Sequence, residues 1–255
     1  MEFGATAKQL AEMRRLVAAG YLQTVEGLAK RLSAPFWWRD PDLPAGQQLQ
    51  GGTICFLHTG ARLIGVTAAH VHLAFLKARD AHPEVACQIG GQGFDPESRC
   101  IALDQRLDMA TYGLSELYVN AVPADIHYAP KWPPEVNLND AYVIGGWPWS
   151  LIRESESENS HAFLHFIGKL SSASANQLGA VTYTARSIPW GDEPLPLGTN
   201  LGGMSGGPMY RMSESGLATL TLVGTIFEYH KDFEIVLARP LSLLDEEGNI
   251  AAGGA

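Results

Sequence analysis

A chain of 255 residues with a 46% hydrophobic share can bury one large core or two smaller ones, which excludes a disordered or fibrous protein. A formal net charge of -9 excludes a nucleic-acid partner, because phosphate binding needs a basic face and Lys and Arg nowhere form a run. No stretch reaches the roughly 18 consecutive apolar residues that a membrane-crossing helix requires, so no membrane partner is expected.

Residues 5–32 repeat Leu10, Met13 and Val17, then Val25, Leu28 and Leu32, at three- and four-residue steps, which predicts two short helices. Gly20 is expected to end the first and Thr24 to cap the second. This hairpin reads as an N-terminal extension over 1–35 that packs on the rest of the chain or docks a regulatory protein partner. Pro35, Pro41 and Pro44 with Gly46 mark the next stretch, to Gln48, as a linker.

From there the texture is β. Short apolar and β-branched runs lie at 53–57, 62–67, 85–89, 99–103 and 109–112, with Thr59-Gly60 as the hairpin between the first two. Pro130, Pro133 and Pro134 form a crossing, after which similar runs lie at 141–144, 161–167, 180–184, 209–211, 217–227 and 233–238. Two sets of short strands joined by a Pro-rich connection predict two β-barrels or sandwiches. The polar segment Arg153–Ser160 reads as an exposed loop, and the Gly-rich tail 248–255 as fraying.

The three cysteines, Cys55, Cys87 and Cys100, are odd in number and contain no C-x-x-C pair, which suits a reduced, metal-free interior. A Cys87–Cys100 disulfide is the alternative for an exported form. Met1-Glu2-Phe3-Gly4 lacks a basic start ahead of an apolar core, so no secretory leader is expected and the location reads as cytoplasmic. No cofactor is expected.

Chemistry concentrates in Leu201-Gly202-Gly203-Met204-Ser205-Gly206-Gly207-Pro208, where glycines surround one hydroxyl. Glycine reaches positive φ and lets main-chain N–H groups approach a guest, so Ser205 could meet a polarised carbonyl there. The plain alternative is a glycine loop between two strands. A serine nucleophile needs a base in hydrogen-bond reach and a group that orients the base.

Of the eight histidines, His58, His82, His127, His161 and His230 fall in or beside predicted turns and loops, and His165 inside an apolar strand pattern. His70-x-His72 has no third ligand at a suitable spacing, so no metal is expected. His70 stands apart because Gly65-Val66-Thr67-Ala68-Ala69 delivers it at the edge of a strand that ends in small residues. Asp108 heads the apolar run Met109-Ala110-Thr111 and suits a half-buried orienting acid, whereas Asp104 reads as a solvated loop residue.

Thr67-Ala68-Ala69-His70, Asp108-Met109-Ala110 and Gly203-Met204-Ser205-Gly206-Gly207-Pro208 resemble the three signature segments of the trypsin-like, chymotrypsin-fold serine proteases, in that family's order. Gly145-Gly146-Trp147-Pro148 and Leu222-Val223-Gly224-Thr225-Ile226 resemble a turn and the cleft-lining strand of that family's second barrel. The likeness covers about residues 50 to 246. It implies an all-β fold of two six-stranded antiparallel barrels, about 45–130 and 140–246, in a peptidase domain over 36–255 behind the helical extension. It also implies a serine endopeptidase acting on a protein or peptide. Ser205 would attack the carbonyl, His70 would move the proton and Asp108 would orient His70, while the Gly203 and Ser205 amides would form an oxyanion hole. Thr199 would lie at the floor of the specificity pocket, and Thr225 and Phe227 in the wall that pairs with substrate.

The sequence departs from that family in two places. Met204 stands where digestive members carry an aspartate that receives a freed N-terminus, so activation by that route is not expected. Val71 replaces the cysteine after the histidine, which would leave Cys55 without its usual partner. Both departures resemble bacterial and viral-type relatives more than digestive ones, and the missing disulfide is in keeping with an intracellular member.

Overall fold

The computed structural model describes residues 20–44, 47–154, 159–182, 199–212 and 219–251. The first predicted helix, the middle of the polar segment 153–160 and the last residues of the tail lie outside them.

Alternating side chains shape the first half. Helix α1 (Tyr21–Arg31) leads into β1 (Ser33–Arg39), β2 (Leu49–His58) and β3 (Leu63–Thr67), then α2 (Ala69–Ala81), β4 (Cys87–Ile89), β5 (Gln92–Phe94) and α3 (Pro96–Arg99). After these come β6 (Cys100–Asp104), β7 (Met109–Gly113), α4 (Glu116–Ala121) and β8 (His127–Tyr128). The strands form one curled sheet in the order β5-β4-β1-β2-β3-β7-β6, with β8 added in parallel to β2. Phe36, Trp38, Ile54, Phe56, Phe75 and Tyr112 fill its interior, and their rings meet edge to face.

The second half contains β9 (Ala141–Gly146), the ribbon β10 (Ile152–Glu154) and β11 (Asn159–His161), then β12 (Leu164–Gly168), β13 (Leu170–Ala173) and β14 (Leu178–Val181). It closes with β15 (Pro208–Met212), β16 (Leu220–His230) and β17 (Ile235–Pro240). Its sheet runs β12-β9-β15-β16-β17-β14-β13 around Ile144, Leu164, Leu178, Met209, Val223 and Val236. The fold is thus all-β, with two curled antiparallel sheets in the two-barrel, chymotrypsin-like arrangement. The sheets have eight and seven strands among the described residues, the additions being short pieces such as β5 and β8.

Several expectations need correction. The supposed linker contains β1, because Ala34, Phe36 and Trp38 point one way and are buried, which is the period-two signature of a strand. The boundary expected at residue 35 therefore falls inside a strand. Thr24 does not cap α1; its Oγ1 donates to Gly20 O from within the first turn. The polar segment 153–160 contributes β10 and β11 rather than a loop alone. The alternative Cys87–Cys100 disulfide is not formed, since all three cysteines are free.

A third apolar cluster joins the two sheets. Val25 and Ala29 of α1 are fully buried in it beside Cys55, Leu57, Val143, Trp147 and Tyr210, so α1 is part of the seam between the barrels. No helix among the described residues is long and apolar enough to cross a membrane.

Candidate active site

β3 and β7 pair through Thr67 and Ala110, which brings the end of one strand beside the start of the other. The chain leaves β3 through the extended residue Ala68, which offers no side-chain cap to α2. The first turn of a helix leaves orphan N–H groups that attract negative charge. Asp108 supplies it: Oδ1 accepts from His70 N at 2.8 Å, and Oδ2 lies 2.7 Å from His70 Nδ1. One carboxylate therefore caps the helix and fixes the ring. A carboxylate can only accept, so Nδ1 carries the proton and Nε2 is left as the basic nitrogen. His70 accordingly sits in the first turn of a helix, not at the strand edge that the sequence suggested.

Asp108 adopts φ 51, a left-handed conformation that aspartate tolerates better than most residues. Two neighbours define this turn. Asp104 is structural rather than merely solvated, since its Oδ1 accepts from Leu107 N at 2.9 Å. Arg239 reaches over from β17, donating through Nε to Leu107 O at 2.5 Å and through Nη1 to Asn176 O at 2.9 Å. Its guanidinium lies 3.7 Å from the centre of the Phe227 ring. Neither Asp104 nor Arg239 has a sequence signal that separates it from an ordinary surface charge.

The stretch 201–208 forms a tight turn that leads into β15 of the second barrel. Met204 N bonds Leu201 O and Gly207 N bonds Met204 O, closing it on itself, while Gly206 N reaches Ile226 O at 2.6 Å. Gly203 and Gly206 have φ 97 and 84, where a side chain is strained. A Cβ on Gly206 would also sit 2.0 Å from Thr53 O. Among the described residues the amides of Gly203 and Ser205 have no acceptor. Two free N–H groups beside a hydroxyl can stabilise a developing oxyanion.

His70, Gly203 and Ser205 line one cleft of about 800 Å³. Gln47, Leu49, Gln50 and Gly51 form one wall, and Trp149, Ser150, Asn200 and Gly202 the other. These polar amides and the indole were not singled out from sequence, because nothing in their spacing distinguishes them from loop residues. Thr199, Thr225 and Phe227 do not line this cleft; Thr225 is buried within β16, and Phe227 is covered by Arg239. Ser205 Oγ makes no hydrogen bond to the His70 ring among the described residues, a looseness common in unliganded sites.

The other expectations sort by environment. His72 is buried and hydrogen-bonded to Tyr112 OH at 2.9 Å, and desolvation lowers its pKa, so it is occupied elsewhere. Among the described residues no three His, Cys, Asp or Glu side chains gather as a metal site. His127 accepts from Leu222 N at 3.2 Å, and burial pulls its pKa down to about 4. Met204 is 1% exposed within the second barrel's core, with no carboxylate in its place. The residue of β2 that faces Val71 is Gly52, where a Cβ would lie 2.7 Å from Val71 Cγ2. Cys55 lies deeper and donates to Gly206 O, so it is not the partner that Val71 leaves vacant.

Neither a protein-family model nor a curated protein matches this chain. Solved structures that match include a thermostable serine protease, AL20, from an extremophilic microorganism, 12% identical, covering 82% of this chain and 90% of that one, with a TM-score of 0.47. Another is a chain from work on the coupled folding and binding of the Sesbania mosaic virus VPg protein, 14% identical, covering 82% and 92%, with a TM-score of 0.44.

Proposed function

We propose that the protein is a serine endopeptidase of the trypsin-like kind. The observation that carries the reading is His70, whose Nδ1 is held by Asp108 at 2.7 Å, in the same cleft as Ser205 and the acceptor-free Gly203 and Ser205 amides. In this reading Ser205 Oγ attacks the scissile carbonyl carbon as its proton passes to His70 Nε2. The oxyanion accepts from the Gly203 and Ser205 amides. Collapse expels the amine, which takes the proton from Nε2 and leaves an acyl ester on Ser205. Water, deprotonated by His70, then attacks the ester, and the released Ser205 oxygen recovers the proton. Asp108 holds the tautomer and stabilises the imidazolium.

Substrate would lie between the Gln47–Gly51 wall and Trp149, with β16 at Phe227 and Glu228, beyond the bonds that Ile226 makes to the nucleophile turn, adding main-chain pairing as an extra strand. Thr199 remains the proposed pocket floor. The proposed setting is cytoplasmic, with no metal or organic cofactor and no step that requires a freed N-terminus.

A protease-fold module that binds peptide with little turnover is the second reading, which the polar cleft alone would serve. An esterase with the same triad is the enzymatic alternative. Digestion of a peptide library beside hydrolysis of a p-nitrophenyl ester separates them. Peptide cleavage that vanishes in Ser205→Ala supports the endopeptidase, ester turnover alone supports the esterase, and peptide binding without either product supports the module.

A further inference from the structure

The nucleophile turn lies in the second barrel, yet three of its carbonyls are bound by one strand of the first. Thr53 Oγ1 donates to Gly203 O at 2.8 Å, Thr53 N donates to Ser205 O at 2.7 Å, and Cys55 Sγ donates to Gly206 O at 3.1 Å. Thr53 and Cys55 are two apart in β2, so they share a face, and both are fully buried. The Thr53 hydroxyl also accepts from Trp147 N at 3.0 Å, and Thr53 O accepts from Thr67 Oγ1 at 2.6 Å. Every polar group of this one residue is used, and together they tie β2, β3, the Trp147 turn and both sides of Met204.

The consequence lies in the direction of the peptides. A peptide unit is planar, so fixing a carbonyl fixes the N–H on the other side of the same bond. Pinning the Gly203 and Ser205 carbonyls fixes the Gly203–Met204 and Ser205–Gly206 units. The Met204–Ser205 unit, which carries the acceptor-free Ser205 amide, is held between them, and the Gly203 amide lies one residue before the first fixed unit. In the absence of such donors, a turn with two positive-φ glycines has other backbone conformations open to it, including ones that spend those amides internally. The Met204 side chain contributes only apolar packing.

We infer that Thr53 is a positioning residue for the oxyanion donors, its hydroxyl holding the nucleophile turn in the donor-out form before substrate arrives. It touches neither substrate nor the reacting atoms. The inference rests on the proposed endopeptidase reading for its catalytic effect, but its effect on the turn can be measured independently.

The test compares wild type, Thr53→Val, which keeps the shape and removes the hydroxyl, and Thr53→Ser, which keeps the hydroxyl. The expected result is a 10- to 100-fold fall in kcat with KM unchanged in Thr53→Val, and recovery to within about threefold of wild type in Thr53→Ser, as for the loss of alignment at one oxyanion donor. A peptidyl boronic acid, whose tetrahedral adduct presents an oxyanion, should lose affinity by the same factor. Hydrogen–deuterium exchange of the Met204, Gly206 and Gly207 amides should quicken in Thr53→Val and return in Thr53→Ser. If Thr53→Val keeps kcat within twofold and exchanges like wild type, the positioning role is overturned while the endopeptidase reading stands. If wild type has no activity but the turn loosens in Thr53→Val alone, the endopeptidase reading fails and the hold on the turn remains. Should Thr53→Val not fold, a Thr53→Ser variant with impaired kcat and an unchanged turn also overturns the proposal.

Discussion

His70 and Asp108 reach the cleft from the first barrel as side chains, with exposures of 51% and 21%, and two hydrogen bonds between them set their geometry. Ser205 reaches it from the second barrel on a turn whose backbone is bound from inside, from β16 and from β2. The acid–base half is therefore a matter of residue identity at two positions. The nucleophile half is a matter of backbone conformation enforced from a distance. Substitutions should separate the two: in the first they remove chemistry and leave the fold, and in the second they loosen the fold and chemistry follows.

The largest expected effect is on the acid–base side. Asp108→Asn keeps an oxygen for the His70 amide but offers the ring an ambiguous partner, so kcat/KM should fall about 10⁴-fold through loss of the tautomer. Thermal unfolding should barely move, and a large drop in Tm would erase the contrast between the halves.

Next comes Gly206→Ala on the nucleophile side. Its φ of 84 and a Cβ placed 2.0 Å from Thr53 O should cost about 3 kcal/mol or more in urea unfolding. A variant as stable as wild type would mean that the turn is not held against β2.

His127 sharpens the comparison through pH. Its folded-state pKa, about 4 against an ordinary 6.5, is lowered by burial under β16. A lowered value means that the unfolded chain binds the proton first. The contribution is whole above pH 6.5 and is lost as pH falls toward 4, by about 3 kcal/mol. Urea unfolding of wild type should weaken across that window, and His127→Gln should flatten the trend. An unchanged slope would remove His127 as its cause.

The smallest effects are those of Arg239→Ala and Phe227→Leu. Losing the bond to Leu107 O releases the turn that carries Asp108, and kcat/KM should fall about tenfold, roughly the worth of one charge-assisted hydrogen bond. Phe227→Leu, which removes the ring under the guanidinium, should fall by less. Equal rates in all three proteins would show that Asp104 alone shapes that turn.

The same division explains what could be read from the sequence. The strands over 53–57, 63–67, 109–112 and 141–144 are short apolar and β-branched runs bounded by turns, from which two β-barrels or sandwiches followed, and the resemblance of the three signature segments pointed to barrels. His70, Asp108 and Ser205 stand in short local patterns, so a linear reading found the residues that the fold gathers at one cleft and its edge. β1 was obscured because Pro35 lies within it and Pro41 and Pro44 just beyond, and clustered prolines read as a linker. Thr53, Cys55 and Arg239 were silent for a different reason. Each acts on a backbone carbonyl more than 130 positions away, and a carbonyl leaves no trace in residue type. Cys55 was even assigned a different neighbour, since sequence order does not say that Gly52 is the residue facing Val71.

The central claim is that His70 activates Ser205. It is tested most directly by reaction with a fluorophosphonate, which forms a stable adduct only with an activated hydroxyl, in wild type, Ser205→Ala and His70→Ala at equal fold stability. The account predicts rapid modification of wild type on Ser205 alone and loss of labelling in both variants. A folded wild type that stays unlabelled, or labelling of Ser205 that persists without His70, would contradict it.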